Sequence, residues 1–154
     1  MNATRRVIEQ LGSWADLASA PAPCGTGTAL RGAGQDIIHL HTEHDADLHL
    51  TTEVVERLRP HLEQSTALRL HSGSAWVTLH LDCTGDADLL LALASLALQA
   101  HSARRVDSPD ADPLCNLARI DILHPTAVPA AAATTARTAR VFHLPRPRSH
   151  RRTA

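Results

Sequence analysis

The chain has 154 residues, 44% of them hydrophobic and 20% charged. That is the length of one domain with an appendage and too short for a (β/α)8 barrel of roughly 250 residues. With two Trp, one Phe and no Tyr, an aromatic RNA-stacking platform is excluded. The net charge of −1 conceals an acidic body, 6 Arg against 12 acids over residues 1–103, and a basic remainder, 9 Arg against 4 Asp over 104–154. Such a body does not suit nucleic-acid binding, which is left only as a weak contact of the basic tail.

Cys24, Cys83 and Cys115 have no CxxC spacing and read as incidental thiols of a reduced, cytoplasmic protein. Residues 1–20 contain Glu9 and Asp16 and no continuous apolar stretch, so no signal peptide is expected. The most apolar run, Leu89 to Ala100, is 12 residues. A bilayer span needs about 20, so this run predicts a buried helix and no membrane contact.

Residues 4–19 place Val7, Ile8, Leu11, Trp14 and Leu17 at helical spacing, with Pro21 and Pro23 beyond. Cys24-Gly25-Thr26-Gly27 then leads into a short strand. It lacks the third glycine and the following helix of a phosphate loop and reads as tight backbone packing. Ile38-His39-Leu40-His41 and Asp47-Leu48-His49-Leu50 alternate strictly, which predicts two half-buried strands around the polar loop 42–46. A hairpin centred on His44 pairs Ile38 with Leu50, Leu40 with Leu48, His39 with His49 and His41 with Asp47, separating an apolar face from a polar one.

Thr51 or Thr52 offers an N-cap for a helix carrying Val54, Val55, Leu58 and Leu62, which Pro60 should kink or end. Residues 67–71 and 76–82 alternate as two further strands joined by Ser72-Gly73-Ser74. A helix over 86–102 is apolar nearly all round. The sum is an α+β domain with a mainly antiparallel sheet of about five strands, in the order helix-β-β-β-helix-β-β-helix, with the helices on one face. It occupies residues 1–103. Residues 104–124 read as a linker with a short helix after Asp112-Pro113, and 125–154 as a disordered Ala/Arg/Pro-rich tail.

If the leucines face the helices, the other sheet face is open and carries His39, His41, Asp47, His49, Arg69, His71, Trp76, Thr78, His80 and Asp82. Opposed residues lie ~5 Å apart, so His39, His41, His49 and Asp47 form a candidate divalent-metal set. His71, Trp76 and His80 extend it to a candidate ligand-binding face. A solvated polar face is the plain alternative. No motif marks a serine nucleophile.

Over about residues 4–102 the chain resembles a small actinobacterial and fungal family named for a luciferase domain. The likeness rests on Cys24-Gly25-Thr26-Gly27, Ile38-His39-Leu40-His41, Asp45-Ala46-Asp47-Leu48-His49-Leu50, Ser74-Ala75-Trp76-Val77-Thr78-Leu79 and the apolar helix from Asp88. The family name does not imply light emission, and the resemblance brings no catalytic residues with it. Three readings follow: binding of a small ligand or a partner on the His-rich open face, a metal-dependent hydrolase built on the His/Asp cluster, or a module that dimerises through helix 89–98.

Overall fold

The computed structural model describes residues 3–104 and 114–123, the last three without side chains. The expected tail over 125–154 lies outside the described residues. A six-stranded antiparallel sheet of order β1-β2-β3-β4-β6-β5 carries the fold. Its strands are β1 (Ala18–Pro21), β2 (Thr28–Gly32), β3 (Gln35–Leu40), β4 (Asp45–His49), β5 (Leu68–Leu70) and β6 (Trp76–His80). The helices are α1 (Ala3–Leu11), α2 (Thr52–Leu62), α3 (Thr84–Ala103) and α4 (Asn116–Leu123).

The α+β, antiparallel architecture is the one expected. The sixth strand is β1, cut from what the spacing predicts as one helix over 4–19. Gly12 and Ser13 end α1, the Ser13 hydroxyl donating to the Gln10 carbonyl at 2.6 Å. The chain then turns at Trp14 and pairs with β2 at the sheet edge, where the prolines at 21 and 23 cost no ladder bonds. Pro60 does not break α2, which runs two residues past it and closes with the Glu63 amide donating to the Arg59 carbonyl at 2.9 Å. Thr51 is the N-cap, its hydroxyl accepting from the Val54 amide.

The core fills one side of the sheet. Ile38, Leu48, Val77 and Leu79 are fully buried and pack with Leu90, Leu91, Ala94 and Ala97 of α3 and with Val7 and Leu11 of α1. Leu89, Leu96 and Leu98 are half-buried against the same core, so α3 spends most of its apolar surface within the molecule.

The β3–β4 hairpin departs from the expected register. Ile38 pairs with Leu48, His39 with Asp47 and Leu40 with Ala46, two residues away from a hairpin centred on His44. The turn decides this. The His41 amide donates to the Asp45 carbonyl at 3.0 Å, and the Thr42 hydroxyl accepts from the His44 and Asp45 amides, both at 3.0 Å. The loop thus closes over three residues where five were expected. Because side chains alternate with period two, a slip of two leaves each residue on its expected face.

A second irregularity lies in β3. Ile38 pairs with Leu30 and Asp36 with Arg31, which leaves Ile37 without a partner on β2. Ile37 and Ile38 are both fully buried in the core. This bulge turns Asp36, which strict alternation would aim at the core, to the side of His39.

The start of α3 is held by Asp86, whose carboxylate accepts from the Asp82 and Cys83 amides, both at 2.9 Å. The bond from Cys83 leads in keeping the Asp86 carboxyl below its ordinary pKa of 3.8. A depressed pKa stabilises the folded state above the unfolded value and loses that effect as pH falls through the folded one. Asp86→Ala is therefore expected to lower stability by about 1 kcal/mol at neutral pH. The difference from the unmodified protein should close below about pH 3.8 in denaturant titrations.

Candidate metal centre

The second face of the sheet is not open, as the alternation alone suggested. The loop 22–27 closes over its β3 end and α4 lies across β4 and β6. His39 and Asp47 are each 1% exposed, Trp76 is 2% and His49 is 3%. The cover is specific. The Asn116 amide donates to the Trp76 carbonyl at 3.0 Å and to the Thr78 hydroxyl at 3.1 Å, and its oxygen accepts from the Ser74 hydroxyl at 2.8 Å. The Leu117 amide donates to Asp47 at 3.0 Å. Buried polar groups need such partners, because an unsatisfied one costs ~1–3 kcal/mol.

Under this cover, Cys24, His39, His41 and Cys115 converge. One ligand atom from each lies within 4.8 Å of all the others. The Cys24 sulfur is 3.9 Å from His39 Nδ1 and 3.7 Å from His41 Nδ1. Both imidazoles thus turn Nδ1 toward the Cys24 sulfur and Nε2 away, and His41 Nδ1 also lies 3.2 Å from the Thr26 carbonyl oxygen. Each Nε2 meets a carboxylate: His39 meets Asp36 at 3.0 Å, across the β3 bulge, and His41 meets Asp47 at 3.1 Å. Asp36 is itself paired with Arg31 at 2.6 Å. Asp47 accepts further bonds from the Thr78 hydroxyl at 2.7 Å and from Leu117.

The electrostatics follow. Burial dominates at His39 and lowers its pKa, which favours the neutral ring, although the hydrogen bond and charge of Asp36 act the other way. Burial also opposes charge at His41, but the hydrogen bond and charge of Asp47, with the Thr26 carbonyl, outweigh it and raise the pKa. At Asp47 burial acts upward, yet the bonds from His41, Thr78 and Leu117 together hold the carboxyl below its ordinary range. Burial, with Cys24 alongside, pushes the Cys115 thiol up to about 12.

The remaining residues singled out in the sequence lie elsewhere. His49 turns to the other end of the sheet, where its Nδ1 is 2.9 Å from His101 Nε2 and its ring packs edge-on to Trp76 at 5.0 Å. Gln35 completes that group by bonding His101. Trp76 lies between the His39 and His49 rings. His71 approaches the Thr78 hydroxyl at 3.4 Å. His80 is exposed and pairs with Asp45 at 2.7 Å. The four candidate metal residues therefore divide. His39 and His41 meet, Asp47 supports His41 from behind, and His49 belongs to a separate buried pair. Spacing gave no sign of the two cysteines, which enter from the β1–β2 loop and from the start of α4.

Residues 34–97 match the family model described as Luciferase domain. The resemblance read from the sequence is thus supported from the turn before β3 to most of α3. No curated protein and no solved structure matches the chain. The matched stretch contains His39, His41, Asp36 and Asp47, whereas Cys24 and Cys115 lie on either side of it.

Cys24 owes its position to Gly27. This residue has φ +79°, and a Cβ there would lie 1.9 Å from the Leu40 carbonyl oxygen and 2.9 Å from the His41 Cα. Only glycine lets the loop lie directly on the end of β3. Gly25 has a similar φ of +80° but open space around it. Gly25→Ala should therefore cost only the left-handed strain of ~1–2 kcal/mol. Gly27→Ala should cost distinctly more in thermal or denaturant unfolding, since it adds a backbone clash. Equal losses for the two variants would contradict the close approach.

Proposed function

We propose that this luciferase-domain protein binds a transition-metal ion, most suitably Zn²⁺, through Cys24, His39, His41 and Cys115. The observation that carries the reading is the convergence of four soft or borderline donors within 4.8 Å, each imidazole backed by its own carboxylate. Two thiolates and two imidazoles are a ligand set that zinc takes in closed structural sites. Hydrogen bonds from the far ring nitrogens to carboxylates orient such imidazoles and raise their basicity. Two thiolates would neutralise the charge of the ion, which a buried site requires.

The donor set also bears on what the ion would do. Four protein ligands leave no open position for a water, so the reading favours a structural role over a hydrolytic one. The ligands come from the β1–β2 loop, from the end of β3 and just beyond it (His39 and His41), and from the residue before α4. The ion would therefore clamp loop and helix onto the sheet and exclude solvent from the face beneath. A reduced setting such as the cytoplasm suits the proposal, because it keeps both thiols available. A wide His-rich face for a ligand or partner has less support, since His39, Asp47, His49 and Trp76 are buried and only His80 of the set is exposed.

Untagged protein titrated with zinc should take up one equivalent. Free zinc at 100 times Kd should add ~2.7 kcal/mol to stability. Cys115→Ser and His39→Ala should abolish stoichiometric uptake. Asp47→Asn should weaken affinity about 10–100-fold through loss of its support to His41. His49→Ala should leave affinity unchanged. Uptake that is absent, or that follows His49 instead of Cys115, would overturn the proposal.

A further inference from the structure

We propose that Cys24 and Cys115 are a peroxide-oxidisable pair, Cys24 attacking first and Cys115 resolving, and that formation of their disulfide expels the metal. The expulsion clause rests on the metal reading above; the oxidation itself does not.

Three observations carry it. First, the two sulfurs lie within 4.8 Å of each other, although 91 positions separate the residues in sequence. A covalent S–S bond is about 2.05 Å long, so the approach still to be made is under about 3 Å. Second, they differ in access. Cys24 is half-exposed in the β1–β2 loop, beside Gly25, around which space is open. Cys115 is 1% exposed, beneath α4. A small oxidant reaches Cys24 first, and the sulfur closest to hand for the second step is Cys115. Third, His41 Nδ1 stands 3.7 Å from the Cys24 sulfur and 3.2 Å from the Thr26 carbonyl oxygen, while Asp47 fixes its other nitrogen. This geometry orients an imidazole toward the attacking sulfur.

The chemistry closes with hydrogen peroxide as the oxidant. The Cys24 sulfur attacks one peroxide oxygen and the O–O bond breaks. The departing hydroxide takes up the thiol proton as water, leaving a sulfenic acid. The Cys115 sulfur then attacks the Cys24 sulfur and the S–O bond breaks. A second hydroxide leaves with the Cys115 proton as water. Two sulfurs lose two electrons in total, and one peroxide becomes two waters. In the metal-loaded protein both sulfurs begin as thiolates, and solvent supplies the two protons. Two imidazoles alone then remain as ligands, fewer than a closed zinc site needs.

The test uses full-length protein carrying Cys83→Ser. Cys83 is exposed, outside the cluster and at the N-cap of α3, a position that serine suits, so the substitution removes the third thiol and keeps a capping side chain. Metal-loaded and chelator-stripped samples receive hydrogen peroxide. Free thiols are alkylated, and a non-reducing digest is mapped by mass spectrometry while a chromogenic chelator reads zinc. The proposal expects a Cys24–Cys115 link in both samples, one equivalent of zinc released in step with it, and reversal by a thiol reductant. In Cys115→Ser protein, Cys24 should stop at a sulfenic acid that a carbon nucleophile traps. Cys24→Ser should slow peroxide consumption about tenfold or more. Sulfinic acid at Cys24 with Cys115 still alkylatable would overturn the pair, as would oxidation of Cys115 first. A link that forms in protein unable to take up zinc would support the oxidisable pair and overturn the metal reading with its expulsion clause. Zinc uptake without any link under peroxide would do the reverse.

Discussion

The site depends on two imidazole–carboxylate contacts beneath a covered sheet face. His39 and His41 could not be buried as bare polar rings without a cost of ~1–3 kcal/mol each. Asp36 and Asp47 offset that cost by bonding the Nε2 atoms, and in doing so they fix which ring nitrogen faces inward. The inward Nδ1 atoms then share a space with two sulfurs. The rest of the second face is arranged around the same demand. Thr78 and the Leu117 amide satisfy the remaining valences of Asp47, Arg31 balances Asp36, and Asn116 ties α4 to β6.

The apolar side of the sheet makes this possible. Fully burying a leucine or isoleucine side chain contributes ~1.5–3 kcal/mol, and Ile37, Ile38, Leu48, Leu79 and Leu90 are all buried without residual exposure. That side also sets the aim of Asp36. Burying Ile37 and Ile38 together requires the bulge in β3, and the bulge is what brings the Asp36 carboxylate to His39. A packing requirement on one face thus builds an electrostatic support on the other.

Much of this was legible in the sequence, and the limits have physical causes. Alternation placed His39, His41, Asp47 and His49 on the face opposite the leucines, and it survived a wrong register because the slip was of two residues. The register itself depended on the Thr42 hydroxyl capping two amides, which alternation does not encode. The β3 bulge was hidden because two adjacent isoleucines look like any apolar run. His49 and His39 share a face but sit near the C-terminal ends of antiparallel strands, so equal orientation did not mean convergence. The cysteines were the largest omission. Cys24 reaches the site only because Gly27 lets its loop lie on Leu40, and Cys115 only because α4 returns to the sheet beyond α3. Neither fold-back leaves a local spacing to read. Gly25 and Gly27 were the one available signal, since tight packing was expected there and a cysteine stood beside them.

X-ray absorption at the metal edge of zinc-loaded, untagged protein tests the central claim most directly. The account predicts a first coordination sphere of two sulfurs and two imidazole nitrogens, reduced by one sulfur in Cys115→Ser. A sphere of oxygen and nitrogen donors without sulfur would contradict it.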